Sequence, residues 1–211
     1  MRGIFFVLNL LLFFSAYAAS SDLVDVATVN AGIKLDIRYA TNNNFTGKKI
    51  YDKARCFLLR FVAEKLDHVH KKLAKRGLGL KVFDGYRPLA AQRKMWVLVP
   101  DERYVSNPAK GGRHTRGTTV DVTLVTLADG KEVEMPTPFD DFTERAHADT
   151  TEGISPKAIA NRSLLRSLME AEGFIALPTE WWHFDVKDWL AYAPLDLSFE
   201  EIDQQQAACK K

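Results

Sequence analysis

Residues 112–127 read GRHTRGTTVDVTLVTL. From residue 120 to residue 127 apolar and polar side chains alternate, which predicts a strand. Asp129-Gly130 is a turn signal, so we expect the chain to reverse there into a partner strand at residues 131–135. His114 precedes a glycine-bearing turn that leads into the first of these strands.

Other segments on both sides of this hairpin have clear periodicity. Gly77 and Gly173 are well placed to end helices, and Ser155-Pro156 has the cap and first-turn residues that begin one. A mixture of helices and hairpins in this order predicts an α+β fold with a central antiparallel sheet flanked by helices. The predicted segments are helices at 54–76, 89–97 and 155–172, strands at 80–83 and 181–186, and extended chain at 22–45.

The composition is that of one globular domain. The chain has 211 residues, of which 46% are hydrophobic and 27% charged, enough for a sizeable core. The formal net charge is only +2, and no basic stripe is present. A nucleic-acid partner is therefore not expected.

The first 18 residues have the layout of a secretory signal peptide. A positive start is followed by an almost continuously apolar run at residues 4–14 and a small-x-small site at Ala16-Tyr17-Ala18. The alternative is a membrane anchor, but the run is shorter than the roughly 20 residues of a spanning helix. We therefore expect residues 1–18 to be removed and residues 19–211 to form a single exported domain without stable membrane insertion.

The two cysteines leave two possibilities open. In an oxidising compartment Cys56 and Cys209 could pair. Alternatively, Cys56 packs among apolar neighbours on a helix while Cys209 lies in a loose polar tail. Neither cysteine has a histidine near it in sequence, as a nucleophile would favour.

Five histidines are present, and they differ in their sequence context. His68 and His70 are two residues apart on a predicted helix and so point to different faces, which makes a shared metal difficult. His147 lies in an acidic loop, and we interpret all three as surface or structural residues. His114 and His183 remain as the candidates for chemistry.

His114 has a carboxylate partner within its own segment. A turn can bring His114 and Asp121 together, and a charge between the apolar residues Val120 and Val122 is costly unless it is paired or binds a metal. A plain hydrogen bond between the histidine and the aspartate would also explain the pattern.

His183 has a carboxylate three residues before it, at Glu180. Positions three apart on a strand face opposite sides, so Glu180 must lie at a bend if both side chains reach one site. The alternative is that Trp181 and Trp182 belong to the core and that His183 is a buried histidine with its hydrogen bonds satisfied.

Together these residues make a chemically complete set. Two imidazoles and one carboxylate are a catalytic zinc arrangement that leaves a position for water. Glu180 could take the proton of that water and pass it to a leaving amine. Arg87 is a candidate for stabilising the oxyanion, although an ion pair with Asp84 would equally explain it.

These segments resemble the D-alanyl-D-alanine dipeptidase family. The family pattern S-x-H-x-x-G-x-A-x-D matches residues 112–121 at the His, Gly and Asp positions, and E-x-W-H matches residues 180–183. D-G-Y-R-P matches residues 84–88. Similar stretches span almost the whole predicted mature chain, at residues 36–41, 44–47 and 139–142.

The resemblance implies one zinc ion bound by His114, Asp121 and His183. It implies Glu180 as the catalytic base and Arg87 as the residue that stabilises the transition state. It also implies a Hedgehog-like D,D-peptidase fold, a periplasmic location and hydrolysis of D-Ala-D-Ala to two D-alanines in cell-wall peptide turnover or recycling. Free substrate ammonium needs oxygen partners, which Tyr39 with Asp140 or Asp141 could supply.

Two positions depart from the family pattern. Gly112 stands where the family has serine, and Thr119 stands where it has alanine. Loss of a neutral hydrogen bond from that serine, at about 0.5–1.5 kcal/mol, should alter substrate affinity more than turnover. Two other functions remain open: a peptidoglycan D,D-carboxypeptidase or endopeptidase with the same metal site, and a zinc-bearing binding module without catalysis.

Overall fold

The computed structural model describes residues 22–102 and 104–208. The predicted signal peptide and Cys209 therefore lie outside the described residues, and both predictions about them stay untested. The elements are β1 (Leu23–Asp25), α1 (Val26–Val29), β2 (Lys34–Leu35), β3 (Phe57–Leu59), α2 (Arg60–Ala74), β4 (Leu78–Asp84), α3 (Leu89–Leu98), β5 (Thr119–Thr126), α4 (Pro156–Ala171), β6 (Phe174–Ala176), β7 (His183–Val186) and α5 (Phe199–Ala208).

A five-stranded sheet in the order β2-β4-β5-β7-β6 forms the centre of this α+β fold. Its pairs are antiparallel except the edge pair of β2 with β4, which is parallel. β1 and β3 form a separate antiparallel pair. The predicted central antiparallel sheet is thus confirmed, with one parallel strand at its edge.

The long helices α2 and α4 pack against each other and against the sheet, α2 on β4 and α4 on β5 and β6. The buried face of α2 carries fully buried apolar residues at helical spacing, as its sequence predicts: Val62, Leu66, Val69 and Leu73. Both helices end before a glycine with positive φ, +73° at Gly77 and +83° at Gly173. Among the described residues, no helix has the length and apolar character needed to cross a membrane.

Several predicted boundaries are wrong. The helix expected from residue 54 begins at Arg60, because Phe57–Leu59 pairs instead with β1. The partner strand expected at residues 131–135 is reduced to a single bridge between Val125 and Glu132. The final strand starts at His183 rather than residue 181, and α5, for which no helix was predicted, covers Phe199–Ala208.

The first and last described elements are held together. Gln206 on α5 donates a hydrogen bond of 2.7 Å from Nε2 to the carbonyl oxygen of Leu23 on β1. Arg55 lies between the two ends and pairs with Asp25 and with Asp203. These contacts connect the first and last elements of the described chain.

Candidate active site

The sheet brings the three predicted metal ligands to one point. Asp121 on β5 and His183 on β7 are direct cross-strand partners, so their side chains project from the same face. His114 begins a 3₁₀ turn that Gly117 ends in the left-handed conformation, at φ +69°. His114 Nε2 lies 3.4 Å from Asp121 Oδ2 and 3.3 Å from His183 Nδ1, and His183 Nδ1 lies 3.0 Å from Asp121 Oδ1.

The outer ring nitrogens fix how each imidazole is presented. His114 Nδ1 donates to the carbonyl oxygen of Gly85 at 2.9 Å, and His183 Nε2 donates to Asp185 Oδ1 at 3.2 Å. Because a carbonyl and a carboxylate can only accept, these nitrogens carry the protons. The opposite nitrogens, His114 Nε2 and His183 Nδ1, face each other, and in the neutral form of each imidazole they have the lone pair that binds a metal.

This donor set fits a metal ion. One ligand atom from each of His114, Asp121 and His183 lies within 4.8 Å of the others, and all three residues are buried. Asp121 Oδ1 is buried without a hydrogen bond from any described residue, although His183 Nδ1 is close. A bound cation would satisfy that oxygen, whose burial is otherwise costly.

The electrostatics of the cluster favour positive charge. Burial lowers the pKa of His183, but contacts with the Asp121 and Asp185 carboxylates outweigh it and raise this pKa to about 10. Burial raises the pKa of Asp121, yet the facing imidazoles of His114 and His183 outweigh it and hold the pKa far below its usual value. The carboxylates of Asp121 and Asp185 therefore make this cluster favourable for positive charge, such as that of a metal cation.

Asp185, which the sequence does not single out as a site residue, contacts the predicted ligand His183. Besides His183, it accepts a 2.7 Å hydrogen bond from Thr119 Oγ1 and pairs with the Arg113 guanidinium. Its sequence signal was available: Asp185 lies between the buried residues Phe184 and Val186, just as Asp121 lies between two valines. A carboxylate that holds the distal nitrogen of a metal-binding histidine commonly fixes ring orientation.

Glu180 lies at the bend that the sequence requires. The amide of His183 donates to the Glu180 carbonyl at 3.3 Å, which closes a four-residue turn. This turn brings Glu180 Oε2 within 3.5 Å of His183 Nδ1. Burial raises the pKa of Glu180, and the nearby His183 opposes that rise.

Arg87 is held through all three of its guanidinium nitrogens. Its Nε and Nη2 donate to Asp84 Oδ2 at 3.1 and 2.8 Å, and its Nη1 donates to Gln92 Oε1 at 2.9 Å. Burial opposes its charge, but the Asp84 carboxylate outweighs that and raises the pKa of Arg87 well above its usual value. Arg87 therefore makes the ion pair with Asp84 and also lies in the same cavity as the predicted metal ligands.

Gln92 was also missed in the sequence. It is 1% exposed, and its Nε2 donates to the Ser106 carbonyl at 2.7 Å while its Oε1 accepts from Arg87. The amide thus ties Arg87 to the loop after α3. Nothing in the helical pattern of α3 distinguishes this glutamine from an exposed one.

The predicted substrate residues divide into two groups. Tyr39 donates from its hydroxyl to Asp140 Oδ1 at 3.0 Å, and its ring lies under the Arg87 guanidinium at 5.0 Å. Burial, with a further contribution from the charge of Asp121, raises the pKa of Asp140 to about 7. Asp141 instead accepts from the amide of Thr143 and is not one of the residues that line the cavity.

All the site residues predicted from the sequence except Asp141 line one cavity of about 220 Å³. That volume is below the roughly 300–1,000 Å³ of sites for drug-sized ligands and suits a smaller molecule. Phe142 packs at the cavity wall against Phe45 and Tyr104, with ring centroids 5.2 and 4.8 Å apart. A larger cavity of about 320 Å³ between α3 and α5 contains none of the predicted site residues.

The remaining histidines have other contacts. His68 is exposed and pairs with Glu172 at 3.3 Å. His70 is buried and accepts a hydrogen bond from the amide of Leu80 at 3.2 Å. His147 is half-buried, and its carbonyl accepts from Arg162. These contacts agree with the structural roles predicted for them.

Comparison with known proteins gives the family. The peptidase family M15 model, described as D-Ala-D-Ala dipeptidase, matches residues 19–204. The chain belongs to this family. It is 36% identical to a D-alanyl-D-alanine dipeptidase of Escherichia coli, covering 82% of this chain and 89% of that protein. A second D-alanyl-D-alanine dipeptidase, from Enterococcus faecium, is also 36% identical over 74% of this chain and 87% of its own length.

A more distant member, the D-alanyl-D-alanine dipeptidase of Streptomyces coelicolor, is 32% identical over 80% of this chain and 93% of its own. Membership makes the protein a metallopeptidase.

The two departures from the family pattern have different surroundings. Thr119 uses its hydroxyl on Asp185, whereas a side chain at Gly112 would meet Gln92 at an ordinary contact distance of 3.4 Å.

Proposed function

We propose that this protein is a zinc-dependent dipeptidase that hydrolyses D-Ala-D-Ala to two D-alanines. The observation that carries the proposal is the joining of His114, Asp121 and His183 with Glu180 and Arg87 in one small cavity. Relatives at 36% identity that bear the name D-alanyl-D-alanine dipeptidase support the choice of substrate.

Each residue has a distinct task in this proposal. His114, Asp121 and His183 hold the ion, which when bound supplies Lewis acidity and lowers the pKa of the attacking water to about 7. Glu180 accepts the proton of the water and delivers it to the leaving amine, and its raised pKa suits both steps. The Arg87 guanidinium offers hydrogen bonds to the developing oxyanion.

Asp140 and Tyr39 form the site for the substrate ammonium. Asp140 is fixed by the Tyr39 hydroxyl and by the amide of Phe45, so its carboxylate is already oriented before substrate binds. The small cavity volume favours a free dipeptide over the longer peptide of a D,D-carboxypeptidase or endopeptidase. The non-catalytic alternative finds no support in a site that retains Glu180 and Arg87.

The test uses residues 19–211, purified and supplied with zinc. We expect release of D-alanine from D-Ala-D-Ala and much slower release from a muramoyl pentapeptide. Glu180→Gln should retain zinc and lose about 10²- to 10⁴-fold in kcat, as for loss of a general base. Absence of D-alanine release by the zinc-loaded protein would refute the proposal, and unchanged kcat in the variant would refute the base.

The proposal also covers the cellular location of the protein and the family of folds to which it belongs. The layout of residues 1–18 supports export, and we propose a periplasmic role in the recycling of cell-wall peptides. The α+β architecture is compatible with the Hedgehog-like D,D-peptidase fold. Cell fractionation with N-terminal sequencing should find a periplasmic protein beginning at Ala19, and an uncleaved or cytoplasmic chain would contradict this.

A further inference from the structure

The charged residues that line the cavity can be assigned to the two charged ends of the substrate. This inference rests on the proposed function, in which the substrate has an ammonium at one end and a carboxylate at the other. The cavity wall has an acidic group for the ammonium, Asp140. Only two arginines are among the described residues that line it, Arg87 and Arg113.

Arg87 is poorly suited to the substrate carboxylate. It is 9% exposed, and each of its three guanidinium nitrogens already donates to Asp84 or Gln92. Its charge is directed at the buried Asp84 carboxylate. In the proposed function, the remaining N–H groups of Arg87 donate to the developing oxyanion.

Arg113 has the opposite character. Its side chain is 35% exposed, and the structure gives it one ion pair, from Nη1 to Asp185. The guanidinium lies over the ring of Trp189, 4.5 Å from the centroid, which limits its freedom. A planar guanidinium held by a stacked ring and one carboxylate still has N–H groups for a second carboxylate, in a fork that matches carboxylate geometry.

We propose that Arg113 binds the C-terminal carboxylate of the dipeptide and makes the enzyme selective for substrates with a free C-terminus. Arg113 directly precedes the predicted ligand His114 in sequence, and both residues line the same cavity. Asp185, which holds Arg113, also holds His183 at 3.2 Å. Carboxylate recognition and metal-ligand orientation therefore share one anchoring side chain.

The test compares D-Ala-D-Ala with D-Ala-D-alaninamide, which lacks only the terminal charge. The wild-type protein should prefer the free acid in kcat/KM. Arg113→Met should lose about 10- to 100-fold on the acid, the range for a charge-assisted hydrogen bond, and far less on the amide. Arg113→Lys should restore part of the preference, because it returns the charge without the fork.

Arg116→Met is the matched control. Arg116 also lies over the Trp189 ring, 5.3 Å from the centroid, but it donates to the Tyr192 carbonyl and does not line the cavity. Its acid-to-amide ratio should equal that of the wild type, even if less protein folds.

Three results would overturn the inference. Equal wild-type activity on acid and amide would do so while leaving the dipeptidase function intact. An Arg113→Met loss that is the same on both substrates would mean that Arg113 acts only through Asp185. If the wild type hydrolyses neither substrate, the proposed function falls, and this inference falls with it.

Discussion

Asp185 joins the predicted metal ligand His183 to the rest of the sheet through two further partners, Thr119 and Arg113. Such a carboxylate sets the tautomer and the angle of the ring. Because it touches neither the proposed ion nor the substrate, its effect on both must pass through its neighbours. It is therefore a positioning residue.

Changing Asp185→Asn should weaken zinc binding by about 10- to 100-fold, as for other partners of metal-binding histidines. The amide can still contact His183 but lacks the charge that supports the imidazole. Competition with a chromogenic zinc chelator measures the change without any assay of activity. Asp188→Asn, at an exposed position just after β7, serves as control and should bind zinc as tightly as the wild type.

Asp140→Asn should stabilise the protein at high pH only. Folding raises the pKa of Asp140 to about 7, so the unfolded chain releases this proton from about pH 4 upward while the folded chain keeps it. The wild-type free energy of unfolding therefore falls as the pH rises from about 4 to 7, and the variant lacks this loss.

Urea denaturation at pH 4 and pH 8, with matched metal loading, measures this difference. The variant should exceed the wild type by about 1–3 kcal/mol at pH 8, after allowance for partial exposure, and by little at pH 4. A gap that is the same at both values would mean that Asp140 does not titrate in this range.

At the scale of elements, the turn before β5 determines where His114 lies. Gly117 has φ +69°, and its carbonyl accepts from the amide of Leu59 on β3 at 2.9 Å. A Cβ atom here would lie 2.8 Å from Leu23 Cδ2. The turn is therefore wedged against the small β1–β3 sheet, which links that sheet to the site.

Gly117→Ala should destabilise the protein by about 2–4 kcal/mol, from left-handed strain together with the close contact. Gly153→Ala is a matched control, because Gly153 has φ +68° but nothing within 4 Å of an added Cβ. It should cost only the strain, about 1 kcal/mol. Chemical denaturation compares the two, and equal losses would remove the packing argument.

How far the sequence predicts these elements depends on the range of the interactions. The α4 cap is local, since Ser155 Oγ accepts from the amide of Ala158 at 3.0 Å, and it was predicted correctly. Phe57–Leu59 was wrongly assigned to a helix because its partner, β1, is distant in sequence. Residues 131–135 have the pattern of a strand, but only one bridge forms.

For the candidate site, too, local features could be predicted from the sequence and long-range contacts could not. His114, Asp121 and His183 are recognisable because a buried charge on a strand and two histidines beside turns limit the possibilities, and the family resemblance joins them. The choice between Asp140 and Asp141 needed the tertiary structure, in which Asp140 accepts from Tyr39 and lines the cavity whereas Asp141 does not line it. Gln92 needed tertiary contacts, since only folding brings Ser106 and Arg87 to the two ends of its amide.

At the scale of the whole molecule, the site is assembled from segments far apart in sequence. Asp84, Asp121 and His183 belong to the three neighbouring strands β4, β5 and β7, and Asp121 is paired directly with both others. Tyr39 lies in a short 3₁₀ turn, Arg38–Ala40, and Asp140 comes from a separate loop. The geometry of the candidate site thus depends on three strands and on further segments rather than on any one motif.

The contact of Gln206 with Leu23 means that the fold could be kept while the order of its elements along the chain is changed. Because β1 and α5 meet, a short Gly/Ser linker could connect α5 to β1, and new termini could be opened at the turn Asp129-Gly130, where nothing lies within 4 Å of a Cβ added at Gly130. We expect this circular permutant to fold, bind zinc and keep kcat within a few-fold of the parent. Thermal unfolding and zinc titration would measure it, and the enzyme could then carry inserted domains at a site remote from its catalytic centre.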